Sequence, residues 1–175
     1  MNRQAYEKLL TGGHPNSLGN TVAVVEAVLN EPADLKSLFE CFFSEDAVVR
    51  MRVSNAMKRI ARANKSLLLP YLDRFLDEIA LIDQASTKWS LAQLFLIHEA
   101  HMSEIQLDKA KDILVDNLIN HSDWIVLNMT METLGKWASG DAAVKRRIRD
   151  RIIELKYDPR KSVSKKALKT ATLLY

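Results

Sequence analysis

The stretch EDAVVRMRVSNAMKRIARAN, residues 45–64, predicts a long helix with one apolar side and one basic side. Its apolar residues recur at helical spacing, which indicates an inward stripe made of Val49, Val53, Ala56, Met57 and Ile60. The side chains left on the opposite side are Met51, Arg52, Asn55, Lys58, Arg59 and Arg62. The question is what this basic side faces.

The rest of the chain also predicts helices and no strands. Only five glycines and four prolines occur in 175 residues, and apolar and polar residues do not alternate over any sustained stretch. Breakers and caps divide the chain into ten helical segments. Start signals include Pro32, the pair Ser103 and Gln106, which has the spacing of a capping box, and Asp123. The segments lie near residues 2–11, 18–30, 32–44, 47–63, 66–80, 86–101, 104–120, 124–138, 141–156 and 160–174.

The chain repeats itself at a period of about 34 to 39 residues. At one offset, VRMRVSNAMKRIA matches VLNMTMETLGKWA, so that Met57 pairs with Leu134 and Ile60 with Trp137. At half of that offset, Met57 pairs with Phe95 in TKWSLAQLFLIHE. A fourth copy, RKSVSKKALKTA, sets Leu168 against Met57. We therefore expect Met57, Phe95 and Leu134 to be buried equivalents.

The repeated unit is an apolar helix, an Asp, then Val-Arg and a second helix rich in small residues. It is clearest in DAVVRMRVSNAMKRIARANKSLLLPYLDRFL, residues 46–76, and it resembles the HEAT-repeat, or armadillo-like, superfamily of helical solenoids. The resemblance implies an all-α, right-handed α-α superhelix of about five helix pairs in one domain, residues 1–175. Residues 1–30 would be a degenerate N-terminal capping pair, and residues 32–175 would form four repeats. It also implies that Arg50 is a structural ladder residue that ties neighbouring repeats together.

In such solenoids the second helix of each pair lines the concave side, which implies a non-enzymatic protein-protein interaction module or scaffold. Trp89 is expected either to be exposed there as a binding anchor or to pack against the neighbouring repeat, whereas Trp137 is expected in the core. The partner, another protein, would contact the outward residues of the successive second helices. These are Arg52, Asn55, Arg59, Arg62, Trp89, Gln93, Ile97, Asn128, Glu132, Lys136, Lys166 and Lys169.

The charge distribution leaves an alternative open. The net charge is only +3, but residues 145–169 hold eleven Lys or Arg against three acids. This density could neutralise phosphates. The alternative is therefore a nucleic-acid-binding HEAT-like protein, such as one related to DNA repair, with a basic surface made of Arg52, Arg59, Arg62, Lys166 and Lys169. The basic stretch is also typical of the solvated polar face of a terminal repeat, and few aromatic rings lie nearby for base stacking.

No catalytic residue, metal site or cofactor is predicted. HEAH, residues 98–101, spaces two imidazoles three residues apart, without the His-Glu-x-x-His pattern of zinc proteases. HEAT-like deoxyhypusine hydroxylases hold iron with several His-Glu pairs, and this chain has only His98-Glu99. The glycines of TGGHPNSLGN, residues 11–20, lack the spacing of a phosphate loop and are interpreted as a flexible connector.

The apolar runs favour a cytoplasmic protein with no membrane partner. The longest runs, such as SLLLPYL, are far shorter than the ~20 residues that cross a bilayer. The chain has one cysteine, Cys41, which excludes an internal disulfide and suits a reducing compartment. Its apolar surroundings, LFECFF, predict a buried thiol.

Overall fold

The computed structural model describes residues 1–14 and 16–174, and these residues form helices and no strands. This confirms the all-α class, and each of the ten predicted segments overlaps one α-helix. In the segments 32–44 and 66–80 the α-helix is much shorter than predicted, and 3₁₀ turns lie on both sides of it. The helices are α1 Arg3–Leu10, α2 Thr21–Asn30, α3 Leu35–Phe39, α4 Ala47–Ala63, α5 Leu72–Asp77, α6 Ala85–His98, α7 Glu104–Asn120, α8 Trp124–Ala138, α9 Ala142–Leu155 and α10 Lys161–Ala171. Short 3₁₀ segments lie at Pro32–Asp34, Glu40–Phe43, Lys65–Tyr71, Ile79–Leu81 and Glu99–His101.

The chain divides into two compact units, Met1–Ser90 and Leu91–Tyr175, and the division falls inside α6. In the first unit α4 contacts α1, α2 and α3. In the second unit α8 contacts α7, α9 and α10, and the Thr133 hydroxyl donates a hydrogen bond to the Ala92 carbonyl at 2.8 Å. One long helix therefore lies at the centre of each unit.

The apolar stripe predicted on α4 is confirmed, because Val49, Val53, Ala56, Met57 and Ile60 are all 0% exposed. Burial of one such large side chain contributes about 1.5–3 kcal/mol. The predicted equivalents are also buried, since the exposed fraction is 0% for Met57, 1% for Phe95 and 0% for Leu134. Trp137, which the repeat aligns with Ile60, is 5% exposed.

Local start signals are confirmed as well. Asp123 accepts hydrogen bonds from the backbone amides of Ile125 and Val126, and Asp46 does the same for Val48. Ser103 and Gln106 form a complete capping box. These side chains satisfy amides that the first turn of a helix leaves without a partner, so they fix where each helix begins.

The fourth copy of the repeat is misplaced by one residue in the sequence alignment. Leu168 is 51% exposed, whereas Ala167 is 0% exposed. The buried residues Val163 and Ala167 follow Val53 and Met57 at a common offset one residue shorter than the alignment assumed. Because a helix turns by about 100° per residue, an alignment shifted by one residue matches the buried Met57 with the wrong residue of α10.

Cys41 is buried, as predicted, and the absence of solvent raises the pKa of its thiol to about 12. The thiol is therefore protonated at physiological pH and is a poor nucleophile. Within the described residues, no helix combines the length and the apolar character needed to cross a bilayer.

Candidate functional site

The guanidinium of Arg52 is enclosed by the segment that joins α1 to α2. Its side chain leaves α4 and is only 1% exposed. Each of its five N–H groups donates to an acceptor in that segment, which matches the full donor capacity of an arginine. The acceptors are the carbonyls of Ser17 at 3.1 Å, Leu10 at 2.6 Å, Gly12 at 2.7 Å and His14 at 3.2 Å, and the Ser17 hydroxyl at 3.2 Å.

Gly19 allows this enclosure. Its φ is +49°, in the left-handed region, and a Cβ at this position would lie 2.8 Å from Cζ of Arg52. No larger residue fits there without moving the guanidinium. The described residues of this segment, 11–14 and 16–20, are thus fastened to α4, which disagrees with their interpretation as a flexible connector. Residue 15, also covered by that interpretation, lies outside the described residues.

The prediction of Arg52 as an exposed partner contact is also wrong. Helical periodicity placed it opposite the apolar stripe, but the residues that cover it lie 35 to 42 positions earlier in the chain. Arg52 instead positions the wall of a neighbouring cleft.

That cleft, here called the α4 cleft, has a volume of about 180 Å³ and lies within the first unit. Three elements supply its lining. The lining residues are Asn16, Ser17 and Leu18 from the fastened segment, Met51, Arg52, Asn55 and Lys58 from α4, and Trp89 and Ser90 from α6. Trp89 is half-buried, so it forms part of a wall and does not project freely as predicted.

Lys58 is the unusual residue of the α4 cleft, because it is a lysine with only 8% of its surface exposed. None of the described residues places a carboxylate within ion-pair distance of its ammonium, and none of the described residues lining the cleft carries one. Buried lysines are rarely left without an anionic partner, since removing the charge from water is costly.

The pKa of Lys58 reflects this environment. Burial, the larger cause, and the positive charges of Arg62 and Arg59 on the same helix together lower the pKa to about 8. Arg59 is half-buried and donates from Nε to Oδ1 of Asn55 at 2.8 Å. The α4 cleft therefore holds positive charge that an incoming anion would stabilise.

The second unit brings four other predicted site residues together. Glu132, Lys136, Lys166 and Lys169 line a smaller cleft of about 120 Å³ between α8 and α10. A carboxylate of Glu132 lies 3.0 Å from the Lys166 ammonium and 3.6 Å from that of Lys136. The hydrogen bond from Lys166 lowers the pKa of Glu132. Glu132 therefore compensates part of the positive charge in this cleft, whereas the described lining of the α4 cleft holds no carboxylate.

The remaining predicted site residues are placed less favourably. Gln93 and Ile97 are half-buried on the second half of α6. Asn128 is only 7% exposed, so its prediction as an outward residue is wrong, because three other helices cover α8. Arg62 is exposed at the end of α4.

Some cations of the basic C-terminal stretch are paired with carboxylates. Ion pairs join Arg147 to Asp112, Arg151 to Glu154 and Arg160 to Asp158, at 2.7 to 3.0 Å. Exposed ion pairs of this kind are individually weak, but they reduce the charge that a polyanion would meet.

Trp124, at the start of α8, is 48% exposed, a feature that the repeat alignment did not indicate.

The two imidazoles of HEAH lie in different environments. His98 is buried, His101 is exposed, and their ring centroids are 6.2 Å apart with the planes at 75°. Across residues 1–14 and 16–174, no three His, Cys, Asp or Glu side chains group as metal ligands would.

The fold and the cleft define an all-helical protein with a recess that could receive one anionic group. No protein-family model matches the chain. No curated protein matches it either. A crystal structure of an engineered protein is similar in fold, with a TM-score of 0.61 and 18% identity over 98% of this chain and 72% of that one.

Proposed function

We propose that this protein is a non-enzymatic, HEAT-like helical-repeat module that binds another protein by receiving an acidic side chain in the α4 cleft. The observation that carries the proposal is Lys58, a buried ammonium without a carboxylate partner among the described residues. A carboxylate entering the cleft would supply that partner. The interaction would be strong for its size, because charge-assisted hydrogen bonds gain strength away from water.

The repeat architecture is supported by equivalent positions. Met57, Phe95 and Leu134 are buried at regular offsets in the sequence. Asp46 and Asp123 cap their helices, and they are separated by the same number of residues as Met57 and Leu134. Arg50 donates to the Gln84 side chain at 2.7 Å and to the Ser44 carbonyl at 2.6 Å, as expected of a residue that ties successive helix pairs. Binding on the inner helices of such an array is a common use of its extended surface.

A protein partner suits the α4 cleft better than a nucleic acid does. The recess is small, about 180 Å³, and Trp89, Met51 and Leu18 add apolar surface to its lining. Such a site fits one carboxylate beside an apolar side chain. A duplex instead requires a row of available cations, and of the five cations named for that alternative, Arg52 is buried and Lys166 is paired with Glu132.

Lys58→Met provides the test of this proposal. Methionine keeps the length and apolar stem of lysine but removes the charge, so we expect peptide binding to weaken by at least about tenfold, the loss of roughly one charge-assisted hydrogen bond. The ligands would be peptides selected from a random display library on the whole chain, with affinities measured by fluorescence anisotropy. We expect the selected peptides to share Asp or Glu next to an apolar residue.

Lys36→Met is the matched control, since Lys36 is an exposed lysine of the same unit, and it should leave the affinity unchanged. A measurement of stability shows whether weaker binding comes from the lost ammonium or from partial unfolding. Because Lys58 is desolvated, Lys58→Met should not lower the free energy of unfolding at pH 7. Equal affinity in Lys58→Met and in the wild-type chain would contradict the proposal. Selection of no acidic peptide, together with duplex binding that falls steeply with salt, would favour the nucleic-acid alternative.

A further inference from the structure

The α4 cleft holds a lysine whose neutral, nucleophilic form is more populated than that of a surface lysine. An ordinary surface lysine is protonated and hydrated, and its nitrogen has no lone pair to donate. Lys58 lies in a recess that excludes most water, with positive charges nearby and no carboxylate from the described lining to hold its proton. All three features favour the neutral amine, which is the nucleophilic form.

We infer that Lys58 is a site of covalent acylation by small acyl phosphates, and that the modification closes the α4 cleft to acidic partners. The reactivity follows from the cleft alone. Its consequence for binding rests on the proposed function.

The fraction of neutral amine decides whether the reactivity is appreciable. With a pKa of about 8, roughly one Lys58 amine in five is neutral at pH 7.4, against about one in a thousand for an ordinary lysine. A less basic amine is also a weaker nucleophile, so its intrinsic reactivity is about tenfold lower. This loss offsets part of the gain from the larger neutral fraction. The net gain in rate is on the order of tenfold.

Charge selects an acyl phosphate as the donor. The charged side chains that act on Lys58 are Arg62 and Arg59 on its own helix, and Arg52 of the same helix also lines the cleft. The residues lining the cleft from the other two elements, Asn16, Ser17, Leu18, Trp89 and Ser90, carry no group that titrates near pH 8. A dianionic phosphate is therefore attracted toward the amine, and acetyl phosphate is small enough for a recess of about 180 Å³.

The reaction is an acyl transfer that needs no further reagent. The lone pair of the Lys58 nitrogen attacks the acyl carbonyl carbon, a C–N bond forms, and the C–O bond to the phosphate breaks. Inorganic phosphate leaves with the bond electrons and takes up the proton that the amine loses. The product is a neutral amide, so the cleft loses the ammonium that would meet a partner carboxylate.

The experiment exposes the whole chain to acetyl phosphate and follows the acetylation of each lysine by peptide mass spectrometry. Lys58 should react roughly tenfold faster than Lys36 and Lys65, which are both exposed. Its rate should level off above about pH 8, whereas the reference rates should continue to rise toward pH 10. Added inorganic phosphate should slow Lys58 alone, and Lys58→Arg should remove only this site.

Reaction of Lys58 no faster than Lys36 and Lys65, or a rate at Lys58 that still rises beyond pH 9, would overturn the inference. The selected acidic peptides then separate this failure from failure of the proposed function. If Lys58 is acetylated rapidly but the acetylated chain binds those peptides as the unmodified chain does, the site is reactive and closure of the cleft is refuted. If Lys58→Met abolishes peptide binding but Lys58 reacts slowly, the binding function stands and the acylation site is refuted.

Discussion

Arg52→Ala is expected to lower the free energy of unfolding by about 3 kcal/mol, because it removes five hydrogen bonds from a buried charged group. The carbonyls of Leu10 and Gly12 would lose their donor, and the segment 11–20 would no longer be held against α4. Urea unfolding of the whole chain, followed by circular dichroism, measures the loss. Peptide binding at the α4 cleft should fall as well, because Asn16, Ser17 and Leu18 form its wall.

Two further variants separate the shape of the arginine from its charge. Arg52→Lys keeps the charge, but one ammonium cannot reach acceptors spread over several residues, so it should be nearly as destabilising as Arg52→Ala. Arg59→Ala is the matched control on the same helix and should cost under about 1 kcal/mol, since the described contacts include one hydrogen bond, to Asn55. A loss below about 1 kcal/mol for Arg52→Ala would show that the segment holds itself in place.

Trp137→Ala is expected to destabilise the chain by about 3–5 kcal/mol, because this side chain is 5% exposed in the core of the second unit. Trp89→Ala should cost clearly less, since Trp89 is half-buried in the wall of the α4 cleft. Its main effect should be loss of peptide binding, as tryptophan supplies a large apolar contact in many binding sites. Urea unfolding and fluorescence anisotropy measure the two effects. Equal losses of stability in both variants would mean that Trp89 belongs to the core and not to a binding surface.

The local features of the fold could be predicted from the sequence because they depend on neighbouring residues. The stripe from Val49 to Ile60 follows from helical spacing, and the cap at Asp123 follows from the short reach of its carboxylate. The burial of Met57, Phe95 and Leu134 follows from a repeat that keeps its register. The alignment fails at Leu168, because the last repeat is one residue shorter than assumed and the buried residue is therefore Ala167.

The site could be predicted only in part, because long-range contacts decide it. The sequence placed Arg52 and Lys58 together on the polar side of α4, and polarity alone implies exposure. The structure covers Arg52 with carbonyls from residues 10–17, and backbone acceptors of this kind leave no signature in side-chain patterns. The sequence pattern placed Lys58 opposite the apolar stripe and could not reveal the cleft, because the other walls come from a loop and from Trp89, both distant in the chain. The glycines of segment 11–20 were the available signal, since a glycine is favoured wherever another group approaches the backbone closely.

Direct titration of Lys58 by NMR tests the central claim most directly. The claim is that this lysine is a desolvated cation whose charged form an added anion would stabilise. The Cε resonance, assigned by its absence in Lys58→Met, would be followed from pH 6 to pH 11 in chloride and in acetate at equal ionic strength. We expect a pKa of about 8 in chloride and a higher value in acetate, because a bound carboxylate favours the charged form of the amine. A pKa near that of an ordinary lysine in chloride, or a pKa that acetate leaves unchanged, would contradict the account.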